Sequence, residues 1–194
     1  MAKKSNRNTR GRIVSAAWKL FYEQGYEDTT VEEIIELSGT SKGSFYHYFD
    51  GKDALLSTLS SLFDEKYEEL TGLLTPEMPA MEQLLFLNRE LFHMIEDSIS
   101  LDLLARLYST QLTTNGEKHL LDHNRIYYKL LRKIIAKGQS EGQLSSRSNV
   151  NEMVKLYALC ERALLYDWCL CAGEYALTEY SAKVLPGFLS SFLP

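Results

Sequence analysis

The sequence predicts an all-α protein. Apolar residues recur at helical spacing through almost the whole chain. No segment shows sustained two-residue alternation or an Asn-Gly hairpin between alternating runs. Glycine and proline cut the chain into pieces of helix length. The cuts fall at Gly25, Ser38-Gly39, Asp50-Gly51, Pro76 with Pro79, Asn115-Gly116, Gly138 with Gly142, Gly173 and Pro186-Gly187, which leaves about nine helices.

Helix 1 places Ile13, Ala16, Ala17, Leu20, Phe21 and Gln24 on one stripe and ends at Gly25, a C-cap glycine. Thr30-Val31-Glu32-Glu33 is a capping box that opens helix 2, with Val31, Ile34 and Ile35 facing inward. Ser38-Gly39-Thr40 is a tight turn whose glycine supplies positive φ. Ser41 to Phe49 forms a short third helix, inward at Phe45 and Phe49. Asp50 caps a long fourth helix with the stripe Leu55, Leu56, Leu59, Leu62, Phe63, Tyr67, Leu70 and Leu74. After the Thr75-to-Pro79 break, helices are expected over about 80–96, 99–113, 117–138, 149–172 and 176–192, the last interrupted at Pro186. The expected domains are 1–52 and 53–194. No internal repeat is evident.

The composition, with 45% hydrophobic, 24% charged and 11% aromatic residues in 194, is that of a folded chain and excludes global disorder. No apolar run approaches the roughly 18–20 residues of a membrane span, and the basic start lacks a signal-peptide core. Cys160, Cys169 and Cys171 cannot pair evenly, so a reducing cytoplasm is expected. Net charge is −5, which by itself argues against a polyanionic partner. Its distribution reverses that. Residues 1–19 hold Lys3, Lys4, Arg7, Arg10, Arg12 and Lys19 without an acid, whereas thirteen basic and eighteen acidic residues follow residue 60. Such a gradient suits a protein with one nucleic-acid-facing end, although basic tails are also common as solubility features.

Two short helices joined by a tight turn, the second presenting small and polar groups, form a helix-turn-helix whose second helix fits a DNA major groove. Thr40, Ser41, Gly43 and Ser44 allow close backbone approach, and the helix start offers N–H groups to phosphate. Lys42 adds a cation, and Tyr46, His47 and Tyr48 offer donors and ring faces. Core packing alone does not account for Phe45, Tyr46, Tyr48 and Phe49, because four aromatics in five residues cannot share one side of a helix.

The run Thr29-Thr30-Val31-Glu32-Glu33-Ile34-Ile35, then Ser38-Gly39-Thr40-Ser41-Lys42-Gly43-Ser44-Phe45-Tyr46-His47-Tyr48-Phe49, then Lys52, Leu55 and Leu56, with Phe21 and Gly25 ahead, resembles the N-terminal domain of TetR-family transcriptional regulators. The resemblance covers about residues 8–60 and is architectural beyond. It implies a three-helix DNA-binding domain joined through helix 4 to a helical ligand-binding and dimerisation domain, usually in a homodimeric repressor released from its operator by a small-molecule effector. The DNA contacts it implies are Thr30, Thr40, Ser41, Lys42, Gly43, Ser44, Tyr46, His47, Tyr48 and Lys52, with Phe45 and Phe49 buried.

By the same analogy the stripes of the last two long helices pack against a second copy, through Tyr157, Cys160, Leu164, Trp168, Val184 and Phe188; the alternative is intrachain core. Polar markers for an effector are Arg89 with His93, Tyr108 with Gln111, and Tyr127 beside Tyr128, each also readable as an ordinary surface or core group. His119 and His123 have metal-ligand spacing but no third ligand beyond Asp122, and Cys169 and Cys171 point to different sides of a helix, so neither a metal nor a cofactor is expected. No nucleophile-base arrangement, phosphate loop or dinucleotide fingerprint appears, which argues against an enzyme. The competing readings are a helical DNA or protein adaptor without an effector, and a small-molecule carrier or enzyme.

Overall fold

In the computed structural model the described residues are 2–113 and 118–194, with side chains from Thr9 onward. The Asn115-Gly116 break and the side chains of Lys3, Lys4 and Arg7 lie outside them. All regular structure among the described residues is helical: α1 (Ala2–Gln24), α2 (Val31–Ser38), α3 (Lys42–Tyr48), α4 (Lys52–Leu56), α5 (Leu59–Thr71), α6 (Ala80–Ser98), α7 (Leu101–Thr113), α8 (Ile126–Ser140), α9 (Val150–Leu170) and α10 (Leu177–Leu189), with 3-10 turns at His119–Leu121 and Ser190–Phe192. The chain forms two compact units. The first comprises Met1–Ser61 and Asp102–His119, the second Leu62–Leu101 and Leu120–Pro194.

Three expected elements differ. The long fourth helix is two helices, α4 and α5, because the hydroxyls of Ser57, Thr58 and Ser60 turn back onto the carbonyls of Ala54 (2.7 Å), Leu55 (2.6 Å) and Ser57 (2.7 Å), competing with the helical ladder. Counted as one, they leave nine helices among the described residues. Gly51 rather than Asp50 holds the cap position, without a side-chain bond. The segment expected at 117–138 begins as a 3-10 turn and reaches α8 only at Ile126, after Asn124 N–H bonds the Asp122 carboxylate at 2.8 Å. Pro186 does not end α10, which continues to Leu189. Proline forfeits one N–H of the ladder at this exposed position, and the helix runs on for three further residues.

In the first unit, Ile13, Ala16, Ala17 and Phe21 of α1 are buried, as are Ile34 of α2 and Phe45 of α3. Gln24 leaves the expected stripe: it is exposed and donates to the Asp28 carbonyl at 3.0 Å. The second unit packs α6, α8, α9 and α10 around one buried carboxyl, Glu161. Its oxygens accept from Asn88 Nδ2 (2.9 Å) and the Tyr127 hydroxyl (2.6 Å), and Ser181 donates to Asn88 Oδ1 (2.5 Å). Tyr157 donates to the Leu84 carbonyl at 2.8 Å. Polar groups from all four helices are thereby satisfied inside an apolar core, a high-stakes arrangement in a low dielectric. Arg125 and Asp64 form a further, mostly buried ion pair at 3.0 Å, and the Glu96 carboxylate accepts from the N–H groups of Leu177 (2.5 Å) and Thr178 (2.9 Å), capping α10.

Burial drives the Glu161 carboxyl above its ordinary 4.5, opposed but not overcome by the hydrogen bonds from Tyr127 and Asn88. The folded state therefore holds this proton more tightly than the unfolded chain. Its contribution is complete below about 4.5 and is lost as pH rises through the raised folded value. Glu161→Gln, which mimics the protonated group, should flatten this part of the pH dependence of thermal melting and melt above the wild type once Glu161 ionises. Parallel curves for the two proteins would contradict this.

Candidate nucleic-acid interface

The geometry of the turn comes from short-range chemistry. Thr30 caps α2: its hydroxyl accepts from Glu33 N–H at 3.2 Å, while the Glu33 carboxylate accepts from Thr30 N–H at 2.7 Å. Gly39 ends α2 at φ 59°, ψ 36°, and its N–H bonds the Glu36 carbonyl at 3.0 Å. Arg12 of α1 donates to the carbonyls of Ser38 and Gly39, the latter at 2.7 Å. The positive φ favours glycine here; a Cβ would lie 2.8 Å from the Arg12 guanidinium, which as the end of a flexible side chain could move aside. Ser41 caps α3 by accepting from Ser44 N–H at 3.1 Å.

These caps fix where α3 begins, and two buried rings set its roll. Phe45 is fully buried and Phe49 nearly so, their rings 5.9 Å apart. The opposite face follows from the helical period: Ser41, Lys42, Gly43 and His47 are exposed, Tyr46 is 46% exposed, and Ser44 and Tyr48 are partly exposed. Thr40 shares a hydrogen bond with Ser38 at 2.8 Å, and Lys42 pairs loosely with Glu32 at 3.5 Å, both groups well exposed. Thr30 is exposed at the start of α2. All ten expected DNA-contact residues thus fall in the first unit, and most lie on or beside one exposed helix face.

Lys52 has a second occupation. Its ammonium donates to the carbonyls of Tyr26 (2.6 Å), Thr29 (2.9 Å) and Glu27 (3.3 Å) and lies 4.3 Å from the centroid of the Tyr26 ring. Tyr26 is buried and donates its hydroxyl to Asp53. Burial, then the Asp53 hydrogen bond, pushes the phenol well above its ordinary range, so it remains a donor. From α7, Arg106 sets its guanidinium 4.9 Å from the same ring and pairs with Glu27 (2.6 Å) and Asp102 (2.8 Å). Sequence reading missed Tyr26 and Arg106. The tyrosine next to a C-cap glycine is the only local signal, and no spacing rule links it to a residue 80 positions on.

The other expected sites are more scattered. Arg89 pairs with Glu90 (3.0 Å) and His93 with Asp97 (3.4 Å) on an exposed side of α6, Tyr127 is buried against Glu161, and Tyr108 and Gln111 belong to α7 in the first unit. Tyr157, Cys160, Leu164 and Trp168 are buried within the single chain, while Val184 and Phe188 are half-exposed. Among the described residues no cluster of His, Cys, Asp and Glu could hold a metal, and burial pushes the Cys160 and Cys169 thiols up to about 11.

The first unit thus presents a helix-turn-helix whose second helix has a buried aromatic pair on one side and small, basic and phenolic groups on the other. Residues 13–59 match the family model for bacterial regulatory proteins of the tetR family. QacR of Staphylococcus aureus is 36% identical over 62 residues, 32% of this chain and 33% of that one; the uncharacterised regulator YhgD of Bacillus subtilis is 25% identical over 167 residues, 80% and 82%. The crystal structure of Thermus thermophilus FadR, described as a TetR-family repressor in complex with lauroyl-CoA, superposes with a TM-score of 0.75 at 26% identity over 95% of each chain. Residues 13–59 thus match the N-terminal domain of that family, and the chain as a whole shares the fold of Thermus thermophilus FadR. Against several of the curated relatives it matches, it aligns with only 22–33% of their length.

Lys52→Met keeps the aliphatic stem and removes three charge-assisted bonds to the turn before α2. It should destabilise the first unit by about 2 kcal/mol, seen as a lower denaturant midpoint and faster amide exchange at residues 26–30. An unchanged midpoint would show that the carbonyls are served equally well by water.

Proposed function

We propose that the chain is a sequence-specific DNA-binding transcriptional regulator, acting as a homodimeric repressor whose hold on its operator is released by a small-molecule effector. The observation that carries this reading is the split of α3: Phe45 is fully buried and its neighbour Tyr46 is 46% exposed, so the helix is anchored by one face and offers the other. In this reading Tyr46, His47, Ser44 and Gly43 meet base edges and the sugar-phosphate wall. Thr30, Thr40, Ser41, Lys42, Tyr48 and Lys52 hold phosphates that fix the register. Lys52 would do so while tied to the turn, as a preorganised cation.

The homodimer is proposed on exposed apolar residues of the last two helices. Leu159 (52%), Tyr166 (46%) and Leu170 (67%) on α9 and Tyr180 (42%) on α10 remain uncovered by the chain. They join Val184 and Phe188 of the expected set, while Tyr157, Cys160, Leu164 and Trp168 support the face from behind. Two recognition helices in such a dimer would read half-sites about 34 Å apart. The acyl-CoA bound to Thermus thermophilus FadR makes an acyl thioester the first effector class to test. A chain that acts on the chromosome works in the cytoplasm, and no helix among the described residues is long and apolar enough to cross a membrane.

Duplexes selected from a random pool should bind with an affinity that falls with salt, log K dropping by about 0.9 per phosphate contacted for each unit of log salt. Tyr46→Ala should abolish selection while leaving the thermal melt in place. Enrichment of the same sequences by Tyr46→Ala would reject α3 as the reading element. Leu159→Glu with Tyr166→Glu should yield a monomer by sedimentation and weaken operator binding. A dimer unchanged by both charges would move the interface elsewhere.

A further inference from the structure

Helix α8 is electrostatically out of character with the body that contains it. Eighteen acidic residues outnumber thirteen basic ones after residue 60, yet residues 126–140 carry Lys129, Arg132, Lys133 and Lys137 and no acid. Arg132 is occupied with the His123 carbonyl at 2.7 Å. Lys137 reaches the Pro76 carbonyl at 2.8 Å and Glu141 at 3.7 Å. Lys133 is exposed and forms no ion pair among the described residues.

Lys133 and Lys137, one turn apart and so on one side of the helix, line a cleft of about 260 Å³ in the second unit. Its apolar walls come from Leu74 and Pro76, beyond the end of α5, and from the buried Leu130 and Ile134 of α8. The polar lining beside them is largely engaged already: Thr71 donates to the Tyr67 carbonyl at 2.7 Å and Gln83 Nε2 to the Met78 carbonyl at 2.6 Å. Burial of an alkyl group against these apolar walls would be favourable by about 0.8 kcal/mol per methylene.

We propose that this cleft binds an amphipathic anion, a short or medium alkyl chain ended by a carboxylate or phosphate, with the chain against Leu74, Leu130 and Ile134 and the head held by Lys133 and Lys137. The volume sits just below the roughly 300–1,000 Å³ of sites for drug-sized ligands, which favours a small head and a single chain over a polycyclic ligand. The two ammonium groups select against cations. Taken as the effector site, the cleft rests on the regulator reading above; taken as a binding site, it stands by itself.

Isothermal titration calorimetry on the full chain tests it, with decanoate, decyl phosphate and decyltrimethylammonium as probes that share one tail. The wild type should bind decanoate or decyl phosphate, the stronger of the two identifying the head, and should not bind the trimethylammonium. Lys133→Glu, an exposed substitution, should weaken the anion by about tenfold or more. Thr75→Trp, also exposed, should fill the cleft and abolish binding, with far-ultraviolet circular dichroism confirming that both variants fold. Absence of anion binding, equal binding of the cationic probe, or affinity unchanged in both variants would overturn the proposal. Calorimetry reads the ligand without DNA, so failure here leaves DNA binding standing, and failure of DNA selection leaves this cleft standing.

Discussion

The burial of Phe45 and Phe49 one helical turn apart is the constraint on which the candidate interface depends. A seven-residue helix is too short to be stable by propensity, so α3 persists because two aromatic rings dock into the core of the first unit. Docking those rings fixes its rotation. Because the helix period is fixed, Tyr46 and His47 must then point outward, and Gly43 keeps the start of the helix low enough for a close approach by another backbone. Function in this reading follows from packing: the same interaction that stabilises the element decides which side chains it displays.

A second set of contacts holds the turn ahead of α2. Tyr26 is gripped by a lysine from α4 and an arginine from α7, with Asp53 at its hydroxyl. The segment 102–119 accordingly belongs to the first unit although most of the surrounding sequence belongs to the second. The chain thus leaves the first unit inside α5, returns for α7, and departs again. Within that unit, Arg106 of α7 is linked through Tyr26 and Glu27 to the turn that precedes the α2 capping box. The buried Glu161 network plays the opposite part, tying α6, α8, α9 and α10 into one cooperative block.

Much of the interface was legible in the sequence because it is built from local signals. The Thr30–Glu33 capping box, the left-handed Gly39 and the Phe45/Phe49 spacing each involve residues within a few positions of one another, and each has a distinct composition. The body of the molecule was harder to read for the converse reason. Its apolar stripes on α9 are wide enough to serve an intrachain core and an intermolecular face together, and periodicity does not say which edge meets which partner. On α9 the single chain buries Tyr157, Cys160, Leu164 and Trp168 and leaves Leu159, Tyr166 and Leu170 exposed. The serine and threonine cluster at Ser57, Thr58 and Ser60 interrupts an apolar stripe that is otherwise continuous, and hydroxyls that compete for helix carbonyls are the local signal of that break. The Arg106–Tyr26 contact and the cleft under Lys133 depend on tertiary folding and left no pattern to find.

Hydrogen exchange of the full chain, with and without a duplex selected from random DNA, is the most direct measurement of the central claim. Slowed exchange concentrated on residues 40–49 and the start of α2, with α3 protected more than any helix of the second unit, is the predicted result. Protection confined to other helices, with α3 exchanging as fast as in the free protein, would contradict it.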